Sequence, residues 1–240
     1  MRLSVVVPCF NEEANIAMVV TQAAEVGRRV ASELEIVVVD DGSIDGTGWV
    51  LGGLREAVPE LRIVTHRQNQ GYGAAVRSGL ARAGMDYVFL TDGDGQFDMS
   101  DLPAAIRLLG KHDLVAGYRT NRQDGWWRQL WGRAWTGLVN QVFGLRIRDA
   151  NCAFKLVPQS LLRGSDLRSD GALISAELLL EARRADLSVG ECAVTHYPRR
   201  HGRQSGASPR VILTAFIELL GCLPRRWSRK AASATRSPVR

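Results

Sequence analysis

Glu35-Ile36-Val37-Val38-Val39-Asp40, followed at once by Asp41-Gly42-Ser43, is the stretch on which the fold turns. An apolar, valine-rich run without polar alternation reads as a strand buried on both faces, and such strands belong to parallel sheets covered by helices. A second run of this kind, Leu3 to Pro8, precedes it. Between the two, Ile16, Val19, Val20, Ala23 and Ala24 keep one helical face apolar. Asn11 is placed to cap that helix, and Glu12 and Glu13 suit the positive end of its dipole. The three segments form one β-α-β unit.

The alternation continues, with strands expected over 62–66, 87–91 and 113–117 and helices over 74–83 and 99–109. This pattern predicts a three-layer α/β/α, Rossmann-like architecture with a mostly parallel central sheet. Ligands of such sheets collect at the carboxyl ends of the strands. The conspicuous polar residues, 11–13, 40–45 and 92–96, fall at three such ends and so converge on one site. After Gly117 the rhythm changes to an Arg- and Trp-rich helix, a strand near 153–157, a helix around 172–184, a strand near 188–194 and a helix from Val211. We read residues 1–223 as one domain with halves 1–117 and 118–223, and 224–240 as a basic, disordered tail.

With 240 residues, 45% of them hydrophobic, the chain can bury one sizeable core. Its net charge of +6 admits polyanions, anionic membrane surfaces and phosphorylated ligands. Cys9, Cys152, Cys192 and Cys222 form no C-x-x-C pair, which argues against zinc and against a disulfide framework and favours reduced thiols. The first apolar run stops at Pro8, too early for a signal peptide. The longest apolar helix candidate, Val211 to Leu223, contains Glu218 and falls short of the roughly 20 residues that cross a bilayer.

Chemistry gathers in Thr91-Asp92-Gly93-Asp94-Gly95-Gln96, just past a buried strand. Two carboxylates and an amide oxygen, with glycines between them for a tight turn, suit a hard cation such as Mg²⁺ or Mn²⁺ whose shell a diphosphate completes. Asp41, also just past a strand, can accept hydrogen bonds from a base or ribose, while Gly42 permits close approach. Asp45 or Ser43 would cap the next helix. With Pro8-Cys9-Phe10-Asn11-Glu12-Glu13 these ends describe a nucleotide pocket.

Four segments taken together, Val7 to Glu13, Val39 to Thr47, Asn69-x-Gly71-x-Gly73-Ala74 and Asp92-x-Asp94-x-Gln96, resemble family 2 glycosyltransferases of GT-A fold. The closer resemblance is to dolichol-phosphate mannose synthases and related polyprenyl-phosphate glycosyltransferases. It makes 1–117 the nucleotide-sugar half and 118–223 the acceptor-side half. It implies that Pro8, Phe10, Glu12, Val39 and Asp41 surround the nucleotide, with Asp92, Gly93 and Asp94 at its diphosphate. Asp92, Asp94 and Gln96 would serve the metal, and Asp92, Asp94 and Arg119 of Gly117-x-Arg119 would be catalytic. Phe10 stands where many relatives carry tyrosine. Asp149-Ala150-Asn151-Cys152-Ala153-Phe154-Lys155 matches a further family segment with alanine for its glycine. Arg199 and Arg203 belong to a loop resembling the one that reaches over the donor diphosphate, where guanidinium forks suit phosphate oxygens. Arg122, Arg133, Ser175, Glu177 and Ser205 are candidates for the acceptor phosphate.

The resemblance implies inverting transfer of a hexose from GDP-mannose or UDP-glucose to a polyprenyl phosphate. The runner-up is transfer to a sugar hydroxyl, which needs a carboxylate base, with Glu177 or Asp149 as candidates. Arginines interleaved with Trp126, Trp127, Trp131 and Trp135 suit either an interfacial helix or one covering the domain's own core. The expected location is cytoplasmic, peripheral at the membrane's cytoplasmic face, docked directly or through a membrane-protein partner. A dinucleotide oxidoreductase is disfavoured because Gly71-Tyr72-Gly73 follows the third strand rather than the first. Nucleic acid is disfavoured as a partner because strand ends crowded with carboxylates repel phosphates.

Overall fold

The computed structural model describes residues 1–120, 126–202 and 209–223. In chain order these form β1 (Arg2–Cys9), α1 (Ile16–Val30), β2 (Glu33–Asp40), α2 (Thr47–Leu54), β3 (Leu61–Thr65), α3 (Tyr72–Arg82) and β4 (Tyr87–Leu90). A 3-10 turn, Met99–Asp101, leads into α4 (Leu102–Leu108) and β5 (Leu114–Thr120). There follow α5 (Trp126–Phe143), β6 (Lys155–Pro158), α6 (Gln159–Arg163), α7 (Ile174–Arg184), β7 (Val189–Thr195) and α8 (Pro209–Cys222).

The strands make one sheet in the order β3-β2-β1-β4-β6-β5-β7. β6 runs antiparallel to β4 and to β5, and the remaining neighbours are parallel. Period two explains the unbroken valine runs. Val5, Val7, Ile36, Val38 and Phe89 face one core, under α1, α2 and α4. Val6, Val37, Val39, Val88 and Leu90 face the other, built with α3, α5 and α7. A strand buried on both faces has no side to make polar.

Two expectations need correction. Asn11 does not cap α1: it sits at φ 55°, in the left-handed region, and its side chain accepts from the Ile44 amide. The helix starts after Asn15, whose side chain donates to Glu12 instead. The 99–109 segment is a 3-10 turn joined to a shorter helix, because Pro103 is placed at the start of α4. Asp45 accepts from the Thr47 amide at the start of α2, whose N-cap is Gly46 without a side-chain cap. The four cysteines are free and buried. Among the described residues no helix is long and apolar enough to cross a membrane. The tail, 224–240, lies outside them.

Candidate active site

The carboxyl ends of β1, β2 and β4 are laced together through the main chain. Thr91 donates to the Val6 carbonyl at 3.1 Å, Gly93 to Pro8 at 3.2 Å and Asp41 to Cys9 at 2.9 Å. A side chain on Gly93 would begin 2.9 Å from the Cys9 Cβ, so only glycine lets the 92–96 turn lie this close to β1. Gly95, at φ 70°, turns the chain back so that Asp94 and Asp92 are presented together.

Burial and the charge of Asp94 raise the Asp92 carboxyl to about 7, and burial raises Asp94 as well. Two desolvated carboxylates that repel each other hold an excess of negative charge facing the pocket. Their all-oxygen donor set fits Mg²⁺ or Mn²⁺. No group of three His, Cys, Asp or Glu able to hold a metal occurs among the described residues. Gln96 donates its side-chain amide to the Tyr197 carbonyl at 2.9 Å and its backbone N–H to Asp94 at 3.2 Å. It therefore shapes the Asp94 turn and ties it to the segment after β7.

That segment crosses the site. Arg199 pairs with the buried Glu12, lies 3.6 Å from the Asp94 carboxylate and donates to the His201 carbonyl at 2.7 Å. Burial raises the Glu12 carboxyl, and Arg199 and Asn15 partly offset this. At the end of β5, Arg119 grips Asp149 with two hydrogen bonds. Beneath them Lys155 is fully buried, its ammonium donating to the Cys152 carbonyl while burial lowers its pKa. Arg119 and Lys155 both draw the Asp92 carboxyl down against its burial.

A sheet of this order with a carboxylate pair past its fourth strand is also where the sequence family is decided. The model of "Glycosyl transferase family 2" matches residues 4–169. This chain belongs to glycosyl transferase family 2. Its relatives include the dodecaprenyl-phosphate galacturonate synthase of Rhizobium johnstonii, 32% identical over 84% of this chain and 61% of the relative. Another is the undecaprenyl-phosphate 4-deoxy-4-formamido-L-arabinose transferase of Edwardsiella ictaluri, 26% identical over 92% of this chain and 67% of the relative. The chain thus spans about two thirds of the length of these relatives. Among solved structures, glucosyl-3-phosphoglycerate synthase of Mycobacterium tuberculosis with phosphoglyceric acid superposes with TM-score 0.69 at 21% identity, over 94% of this chain and 79% of that one. The same enzyme has been crystallised with Mn²⁺, UDP and glucosyl-3-phosphoglycerate, at 20% identity and TM-score 0.69 over 92% of this chain and 80% of that one. The fold of this family 2 domain is GT-A.

Pro8 and Val39 are buried near the carboxyl ends of β1 and β2, while Phe10, just past β1, is 40% exposed. Asp41 is held on several sides. His66 Nδ1 lies 2.6 Å from its Oδ1, and the amides of Gln70 and Gly71 donate to its two oxygens at 2.9 Å. His66 Nε2 in turn meets the Ser78 hydroxyl at 2.9 Å. Glu177 is fully buried, and its carboxylate accepts the amides of Arg168 and Ser169. Ser175, also buried, draws the Tyr72 phenol's pKa down against its burial. Glu177 thus braces the loop before α7. Arg133 is exposed on α5, and Arg122, Ser205 and Arg203 lie outside the described residues.

Sequence reasoning passed over Tyr72, His66 and Lys155. Lys155 stood in a quoted motif without a role, and a tyrosine or histidine at a helix start or strand end carries no periodic signal. The second half adds an apolar surface: Leu213, Ile217 and Leu220 of α8 are 62–64% exposed, Phe216 stacks edge-on against Trp135 of α5, and Leu130 and Trp131 of α5 are exposed nearby in sequence. Ala215, Leu219 and Cys222 turn the other side of α8 into the core.

Proposed function

We propose that this domain transfers a hexose, with inversion, from a nucleoside-diphosphate sugar to a polyprenyl monophosphate, using Mg²⁺ or Mn²⁺. The observation that carries the reading is that both carboxylates eligible as a general base are engaged elsewhere, Asp149 by Arg119 and Glu177 by backbone amides. A sugar hydroxyl would need such a base. A phosphate monoester does not, because its second pKa of about 6 leaves its oxygen largely ionised near neutrality. The relatives' named activities, sugar transfer to dodecaprenyl and undecaprenyl phosphate, support the same acceptor class. Because those relatives move galacturonate and 4-deoxy-4-formamido-L-arabinose, the sugar is tested across donors rather than assumed.

In this reading Phe10 stacks on the base, Asp41 accepts from base or ribose, and Asp92 and Asp94 face the diphosphate. Arg199 and Arg203 close over the phosphates, while Arg122, Arg133 and Ser205 are left to meet the acceptor. A bound divalent cation would neutralise the charge that grows on the departing nucleoside diphosphate. The chain itself supplies alignment: the acceptor oxygen is held opposite the leaving group, and Arg119, fixed by Asp149, completes the positive field around the reacting phosphates. The exposed apolar residues of α5 and α8 would lie in the headgroup layer on the cytoplasmic face, with arginines toward anionic lipid. A separate membrane protein covering that face is the other route to the lipid.

The test is transfer of radiolabel from GDP-mannose, UDP-glucose and UDP-galacturonate into organic-extractable polyprenyl phosphate, with Mg²⁺ or Mn²⁺. Label entering lipid with wild type and not with Asp94→Ala supports the reading and names the donor. No lipid label from folded, metal-binding protein would move the acceptor to a sugar hydroxyl.

A further inference from the structure

The start of α3 is held more firmly than a surface turn requires. Gly71 lies at φ 102°, and the Gly73 amide donates to the Asp170 carbonyl at 2.7 Å. A Cβ on Gly71 would sit 2.7 Å from that same carbonyl oxygen, and one on Gly73 would run into the backbone of Ser169 and Asp170. The 168–171 loop is itself clamped. Glu177 accepts from Arg168 and Ser169, Glu218 accepts from Asp170 and Gly171 at 2.9 and 2.8 Å, and Arg77 pairs with the Asp170 carboxylate at 2.5 Å. Two glycines pressed against a braced loop leave the residue between them one position.

That residue is Tyr72. Its hydroxyl donates to Asp92 Oδ1 at 2.8 Å, and Ser175 of α7 draws the phenol's pKa down against its burial. Its ring packs against the core that α3 and α7 share. Asp92 thus presents Oδ1 already occupied by a neutral donor, while Oδ2 has no hydrogen-bond partner among the described residues. A carboxylate with one oxygen tied this way is fixed in rotation and offers its other oxygen in one direction.

Resting on the metal-dependent reading above, we propose that Tyr72 is a positioning residue that sets the affinity of this site for a divalent cation, by tying one oxygen of Asp92 and aiming the other. Ser175 acts on the phenol in turn. Outer hydrogen bonds of this kind change metal affinity by roughly 10–100-fold. The device works through orientation, so it alters how tightly the cation is held more than how fast the saturated enzyme turns over.

The experiment measures Mn²⁺ binding directly, by electron paramagnetic resonance of free Mn²⁺ titrated against the purified chain with UDP present. Melting temperature without metal is recorded alongside. Tyr72→Phe removes one oxygen and keeps the packed ring, so it is expected to weaken Mn²⁺ binding about tenfold, with Ser175→Ala moving the same way by less. Asp94→Asn, which removes a ligand of the proposed cation, serves as the control. Loss of binding in Asp94→Asn with no change in Tyr72→Phe overturns the proposal and leaves the metal reading standing. Unchanged binding in both overturns the metal reading and the proposal together. A fall in melting temperature without a change in Mn²⁺ affinity makes Tyr72 merely structural, which also overturns it.

Discussion

Arg119 and Asp149 meet in a two-pronged ion pair, Nε 2.7 Å from Oδ2 and Nη2 3.0 Å from Oδ1, with side chains only 16% and 9% exposed. The pair joins the end of β5 to the segment before β6. Removing one partner of a buried pair costs about 3–5 kcal/mol. Asp149→Ala is therefore expected to lower the melting temperature by about 10 °C in a domain of this size. It also frees the guanidinium from its set direction, so turnover should fall at saturating donor. Differential scanning calorimetry and the label-transfer assay check the two effects separately.

The Asp41–His66–Ser78 chain makes a claim about the nucleotide. His66→Ala leaves Asp41 one donor short, and a hydrogen bond to a charged group contributes roughly 1.5–3 kcal/mol. UDP or GDP affinity, read by calorimetry, should drop about tenfold. His66→Asn, which keeps a donor near the Nδ1 position, should recover part of it, whereas the apparent affinity for the lipid acceptor stays unchanged. Equal loss for donor and acceptor would point instead to general damage to the fold.

The Asp92 carboxyl, raised to about 7 by burial and by Asp94, binds its proton more tightly in the folded chain than in the unfolded one, where aspartate titrates near 4. Its contribution to the stability of the metal-free protein is thus complete below about pH 4 and is lost as pH rises toward 7. Thermal melts of metal-free wild type between pH 5 and 8 should carry this loss, and Asp92→Asn should flatten it. Mn²⁺ added at pH 8 should restore stability in wild type and not in the variant.

Leu213 and Ile217 stand one turn apart on the outer face of α8, 63% and 62% exposed. Because both side chains are mostly exposed, Leu213→Asp with Ile217→Asp should leave the melting temperature nearly unchanged. Co-flotation with vesicles containing anionic phospholipid should fall by more than about tenfold, given roughly 1.5–3 kcal/mol for each such side chain buried. Unaltered flotation would assign lipid contact to another surface.

The first half of the fold was legible because its strands are buried on both faces and its helices carry one apolar stripe, so Leu3–Pro8 and Glu35–Asp40 could be read from composition alone. The strand ends at Asp41 and Asp92 were legible for the same reason: a polar residue directly after such a run has only one place to be. What escaped was set by tertiary partners. Asn11 carries a good capping side chain, yet the Ile44 amide claims it. Short α6 has too few residues for a period to register. Glu177 reads from sequence as a candidate for the acceptor phosphate or a base, and no local pattern announces the Arg168 and Ser169 amides that surround it. Tyr72 gains its role from Asp92 and Ser175, neither of which is near it in sequence.

β4 is only four residues long, and it is gripped on one side by Leu3–Val6 and on the other by Lys155–Pro158, the one strand that runs backwards. A slip of one residue on either side would turn Phe89 out of its core and carry Asp92 about 3.3 Å along the sheet. The carboxylates are therefore surveyed from both directions, like a benchmark sighted from two stations. Segments beyond β4 can change around that benchmark while the two register contacts hold it.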